Sequence, residues 1–165
     1  MTIPVSRQHI VGGAVGAWVG VCVTLVAAFE GYSKYPYVDR VGTGHPVTWC
    51  YGATGADGQA IPPMNKAFSE GECKALLGVS LQKYDDEIKK CIHVSMTADV
   101  EAAMVSEAYN LGPGTVCRYV APLLNKGNVK GACTVLRGFV HGDGQVLPGL
   151  VRRRLAEQNL CLKGT

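Results

Sequence analysis

Twenty consecutive residues without a charge, Ile10 to Phe29 (IVGGAVGAWVGVCVTLVAAF), run straight into Glu30 and split the chain into an apolar N-terminal part and a polar body. At helical rise, such a run is long enough to cross a bilayer core of roughly 30 Å. Arg7 and the amino terminus precede it, and no acidic residue occurs before Glu30. The positive-inside bias then places the N-terminus in the cytoplasm and the body outside. The expected division is an N-terminal membrane segment over residues 1–29 and one folded domain over residues 30–165.

The run is only weakly hydrophobic, because nine of its twenty residues are Gly, Ala or Thr. Three readings stay open: a cleaved signal peptide, a permanent anchor, and a segment that first anchors and then leaves the bilayer to join the folded body. Val26-Ala27-Ala28 has the small residues of a cleavage site. Cutting there would leave Glu30 as the second residue of the mature chain, where a functional acid would be poorly held. The releasable segment is therefore the favoured reading.

With 165 residues, the chain suits one domain with a real core. Its net charge of +3 suits an anionic surface without demanding one. The only dense basic run is Arg152, Arg153 and Arg154, with no nucleic-acid recognition motif around it, so nucleic acid is not an expected partner. The seven cysteines at positions 22, 50, 73, 91, 117, 133 and 161 form no CxxC pair and no metal-ligand spacing with His. Neither a metal nor a cofactor is expected. So many cysteines point to an oxidising compartment, and their odd number leaves at least one outside any intramolecular bridge. Cys91 with Cys117 and Cys133 with Cys161 are two guesses among many connectivities.

Residues 30–65 are rich in Gly, Pro, Thr and aromatics, and GTGHPVTW and YGATGADG read as short strands joined by tight turns. After Pro63 the pattern turns helical. Ser69 and Glu72 make a capping box before CKALLGVSLQKYDDEIKK, and Thr97 caps DVEAAMVSEAYNL, which stops at Gly112-Pro113. Two shorter helices are predicted over Thr115 to Asn125 and Val129 to Val140, and Pro148 opens a last one, GLVRRRLAEQNLCL. The fold class is α+β: a small N-terminal β lobe and a larger all-helical lobe with a groove between them, preceded by the apolar helix.

Glu30 and Asp39 are separated by eight residues in FEGYSKYPYVDR, one at the end of the apolar run and the other on the first strand. Glycoside hydrolysis needs two carboxyl groups, one protonated to serve the leaving oxygen and one ionised to guide water. Two acids at such a spacing are more often surface charges. The words around them say more. EGYSKYPYVDRVG followed by VTWCYGATG, then ECKALL, SEAYNLGPG, VKGACTVLR and GLVRRRLAEQNLCL, resemble in order the phage lysozymes of glycoside hydrolase family 24, particularly the lambdoid signal-anchor-release (SAR) endolysins. The resemblance runs from Glu30 to the C-terminus.

That resemblance implies a lysozyme-like fold and a monomeric muramidase that cuts the β-1,4 bond between N-acetylmuramic acid and N-acetylglucosamine of peptidoglycan, with inversion. It assigns the general acid to Glu30 and the holding of the attacking water to Asp39 and Thr48. Partial burial after the apolar run would keep Glu30 protonated, while Asp39 in the open strand region stays ionised. Carboxyl groups roughly 6.5 to 9.5 Å apart would fit inversion. Two departures stand out. The stretch before TWCYG is three residues longer than usual, which makes Thr43 the runner-up to Thr48, and Ala53 stands where many relatives have His. Tyr51, Tyr109 and Asn110 are candidate substrate-binding residues, and Arg153 is the candidate partner of Glu30.

The resemblance also implies a site on the host inner membrane facing the periplasm, held through residues 10–29, and then soluble periplasm after release. Cys22, hidden in lipid until then, would become available for thiol exchange, or is simply a small apolar residue. The rival readings are a non-catalytic tethered peptidoglycan-binding module and a lytic transglycosylase.

Overall fold

The computed structural model describes residues 16–40, 44–142 and 144–165. The second half of the apolar run forms helix α1, Trp18–Ala27. Trp18, Cys22, Val23 and Val26 share one face and are buried, whereas Gly20 and Thr24 face solvent. This is the stripe of an amphipathic helix laid on a core. α1 packs against α2 (Glu70–Ile88) and α3 (Ala98–Leu111). Residues 10–15 of the run lie outside the described residues, and among the described residues no helix is long and apolar enough to cross a membrane.

The β lobe is one antiparallel sheet of β1 (Ser33–Val38), β2 (Val47–Cys50) and β3 (Ala53–Thr54), in that order. Tyr37 lies opposite Thr48, and Thr48 opposite Thr54, with an irregularity in β1 between Ser33 and Tyr37. Trp49 buries its indole against the helices. Cys50 ends β2 in the left-handed region, with φ of 56°, a conformation that an L residue rarely adopts. A disulfide to Cys73 on α2 holds it there and ties the sheet to the helical lobe.

Local signals set the helix starts. The Ser69 hydroxyl accepts from the Glu72 N–H while the Glu72 carboxylate accepts from the Ser69 N–H, and Thr97 caps α3. α3 ends at Gly112, whose φ of 84° a residue with a side chain would resist. α3 is the centre of the lobe: Ala102, Ala103, Met104, Val105 and Ala108 are all fully buried, between α1, α2 and the C-terminal helix α7 (Pro148–Lys163).

The two short helices differ from the sequence expectation. The first is α4 (Pro113–Thr115), a π-helical turn (Val116–Val120) and α5 (Ala121–Leu124). Pro122 lies within α5 and cannot donate a backbone hydrogen bond to the turn before it, which is where the wider winding occurs. The second, α6 (Val129–Val135), gives way to a 3-10 turn (Leu136–Gly138), so Phe139 and Val140 fall outside it. A small hairpin of β4 (His141–Gly142) and β5 (Gln145–Val146) then leads into α7. Disulfides Cys91–Cys117 and Cys133–Cys161 staple these pieces, and Cys22 alone is a free thiol.

Candidate active site

α7 presents two arginines to the interior. Arg153 is 4% exposed and Arg154 is fully buried, an unusual place for guanidinium groups unless carboxylates meet them. They do. Arg153 Nη1 donates to Glu30 Oε1 at 2.6 Å, its Nε donates to Glu157 Oε1 at 3.1 Å, and its Nη2 donates to the Ser106 carbonyl at 3.3 Å. The Ser106 hydroxyl donates to the same Glu157 oxygen at 2.6 Å. Three elements thus fix one planar fork: the turn after α1, the middle of α3, and α7 itself.

Arg154 pairs with Glu107 of α3 and, at 3.1 Å, with Glu157, and its Nη2 donates to Asn110 Oδ1 at 2.6 Å. Two arginines therefore face three carboxyl groups: Glu30, Glu107 and Glu157. Burial pushes the Glu157 carboxyl above the ordinary range, with Arg154, Ser106 and Arg153 pulling the other way. Removing one member of such a cluster strands a buried charge, which typically costs about 3 kcal/mol or more.

Glu30 itself stays 27% exposed and lines two adjoining cavities. One, of about 500 Å³, is walled by Phe29, Leu147, Leu150, Arg152 and Arg153. The other, of about 330 Å³, is walled by Gly52, Thr54, Ala56, Tyr84 and Tyr109. Asn110 lines both, so the three form a continuous groove wall around the acid. Tyr109 is held by its hydroxyl, which donates to the Tyr51 carbonyl at 2.9 Å, and by an edge-on contact with Tyr84. Gly52, next to this contact, takes a φ of 82°, a left-handed conformation that a residue with a side chain would resist.

Of the residues singled out in the sequence, Glu30, Arg153, Tyr109 and Asn110 come together in this groove. Tyr51 does not. Its ring is buried beside Tyr32, and its hydroxyl donates to Glu70 at 3.2 Å, so it supports the sheet from behind. Asp39 is half-buried just past β1, where its N–H donates to the Pro46 carbonyl at 2.9 Å. Thr48 is buried, its hydroxyl directed at the same carbonyl at 3.4 Å.

Register relates these two residues to the groove. Residues directly opposite in a sheet share a face, as do alternate residues along a strand. Asp39, Thr48 and Thr54 thus fall on one face, and Thr54 is the member that reaches the cavity wall with Glu30. Neither Asp39 nor Thr48 is among the residues lining the two cavities. Thr43 lies outside the described residues, His45 is exposed with φ of 49°, and Ala53 is buried. Sequence reading missed Ser106 and Glu107, whose signal was two polar residues directly after the apolar run Ala102 to Val105 of α3.

The chain and its fold have counterparts among known proteins. The profile of the family described as Phage lysozyme matches residues 27–157. The SAR-endolysin of Bacteriophage PS119 is 33% identical over 168 residues, covering 98% of this chain and 96% of its own. The SAR-endolysin of Enterobacteria phage P21 is 34% identical over 170 residues, covering 98% and 99%. Among solved structures, the endolysin from Escherichia coli O157:H7 phage FAHEc1 superposes with a TM-score of 0.74 over 93% of this chain and 96% of that one, at 22% identity. The chain belongs to the phage lysozyme family. It is a glycoside hydrolase of the lysozyme type.

Proposed function

We propose that this protein is a signal-anchor-release endolysin that hydrolyses the β-1,4 bond between N-acetylmuramic acid and N-acetylglucosamine, acting as a monomer on peptidoglycan. The observation that carries the reading is the placement of Glu30: fixed by Arg153 at 2.6 Å yet open to the groove. Protonated Glu30 gives its proton to the glycosidic oxygen as the bond to the sugar C1 breaks. A water held by Asp39 and Thr48 attacks C1 from the opposite face and passes its proton to Asp39, with inversion. Tyr109 and Asn110 face the sugars, the ring for stacking and the amide for hydrogen bonding.

Membrane release and assembly of the site are the same event in this reading. Glu30 follows α1 by three residues, and its N–H donates to the Val26 carbonyl at 3.0 Å, so α1 sets its position. While residues 10–29 lie in the inner membrane, α1 cannot pack on α2 and α3, and Glu30 cannot meet Arg153. Exit from the bilayer buries Trp18, Cys22 and Val26 and delivers the acid to its partner. The soluble form then works in the periplasm.

Turbidity loss of permeabilised Gram-negative cells, with Glu30→Gln as control, tests the catalytic reading. Mass spectrometry of the released fragments should show hydrated reducing ends. No turbidity loss with either wild type or Glu30→Gln would leave only a binding module, and anhydro ends would make the enzyme a transglycosylase.

A further inference from the structure

The two cavities that meet at Glu30 differ in charge. Around the smaller one the remaining wall is neutral, with Thr54, Tyr84, Tyr109 and Asn110 as its polar groups. Around the larger one the wall is apolar at Leu147 and Leu150 and cationic at Arg152 and Arg153, and Glu30 is its only carboxylate. Arg153 is committed to Glu30, Glu157 and Ser106. Arg152 is exposed, and among the described residues it makes no ion pair or hydrogen bond. A guanidinium with no partner, at the rim of a half-apolar cavity beside the reacting acid, is placed to meet an anion from the ligand.

The glycosidically linked N-acetylated sugar rings carry no charge of their own, and the anionic groups of this polymer are carboxylates on its peptide substituents. We infer that Arg152 binds a carboxylate of the substrate's peptide stem, so that the larger cavity takes the peptide-bearing side of the cleaved bond and the smaller cavity takes neutral sugar. The inference rests on the peptidoglycan reading above. A guanidinium accepts a carboxylate through two parallel N–H donors, which a single ammonium cannot reproduce. At the solvent-exposed rim the contact is worth about a twofold to fivefold effect on binding, the range of exposed ion pairs.

The test is a two-by-two comparison on soluble stem-bearing glycan strands. One preparation is native and the other has its stem carboxylates converted to amides; each is cleaved by wild type and by Arg152→Gln. Wild type should lose about twofold to fivefold in kcat/KM on the amidated strands, mainly through KM. Arg152→Gln should show that same loss on native strands and little further loss on amidated ones, because the two changes remove one contact. Arg152→Lys should recover part of it, and raising the salt should shrink the wild-type preference. Equal fractional losses by Arg152→Gln on both preparations, or no loss on either, would overturn the assignment. Glu30→Gln run beside them separates the two ideas: if it still cuts both preparations, the acid's role fails, whatever Arg152 does.

Discussion

Arg153 ties Glu30 to the buried interior: one edge of its guanidinium holds the half-buried acid at 2.6 Å while the Nε holds fully buried Glu157 at 3.1 Å. The two contacts answer to different variants. Arg153→Ala leaves Glu157 short of a partner and should cost about 3 kcal/mol of stability as well as activity. Arg153→Lys keeps the charge but not the fork, so the lytic rate should fall at least about tenfold with a smaller stability loss. Urea midpoints and turbidity rates measured on both variants check this split. Full activity in the Lys variant would mean that the guanidinium geometry does not matter to Glu30.

The exposed face of α1 separates membrane preference from enzyme structure. A Cβ at Gly20 would meet nothing within 4 Å, and Thr24 is exposed. Gly20→Leu with Thr24→Leu should therefore leave the specific activity of the soluble protein unchanged while favouring the bilayer by about 0.5 kcal/mol per Leu. Lysis in cells should be delayed. Unchanged lysis timing would count against control by release.

Cys22 makes alkaline pH informative. Burial, with Glu157 adding, pushes its thiol up to about 12. An unfolded chain loses that proton near about 8.5. Over the interval between these values the native state binds more protons than the unfolded one, so stability falls as pH rises. Cys22→Ala should remove this component and flatten the decline between pH 8 and pH 10 by about 2 kcal/mol. Parallel pH curves for the two proteins would show that the thiol is not held protonated. Iodoacetamide at pH 8 should label wild-type Cys22 only after unfolding.

The Cys50–Cys73 bridge closes a separation of 23 residues and anchors the strand that carries Thr48. Replacing both cysteines by Ala should lower stability by about 3 kcal/mol on loop-entropy grounds. Activity should fall further than for the Cys133 and Cys161 double variant, whose bridge joins α6 to α7 away from the sheet. Equal activity losses in the two double variants would separate the sheet anchor from catalysis.

What could be read in advance was local or repeated. Ser69 with Glu72 and Thr97 before its apolar run announce their helices within four residues, and α2 and α3 start where they say. Pro148 does the same for α7. The pairing of Arg153 with Glu30 joins residues 123 apart and came from the family likeness, since no local pattern encodes it. Ser106 and Glu107 escaped because a buried ion pair looks like a helix surface until its partner is known. The position of Tyr51, away from the two cavities, follows from the backbone. Thr48, Trp49 and Cys50 are buried in succession along β2, and Cys50 at positive φ redirects the chain so that the Tyr51 ring is buried as well. The end of α6 and the hairpin after it had too few residues to show a period.

The grip of Arg154 on Asn110 has a polarity. A guanidinium can only donate, so the amide oxygen is spent on it, at 2.6 Å. What remains of that side chain for the groove is its NH₂ end. Whatever settles between the two cavities meets a pair of hydrogens there, and an acetyl carbonyl fits that spot where an N–H would be turned away.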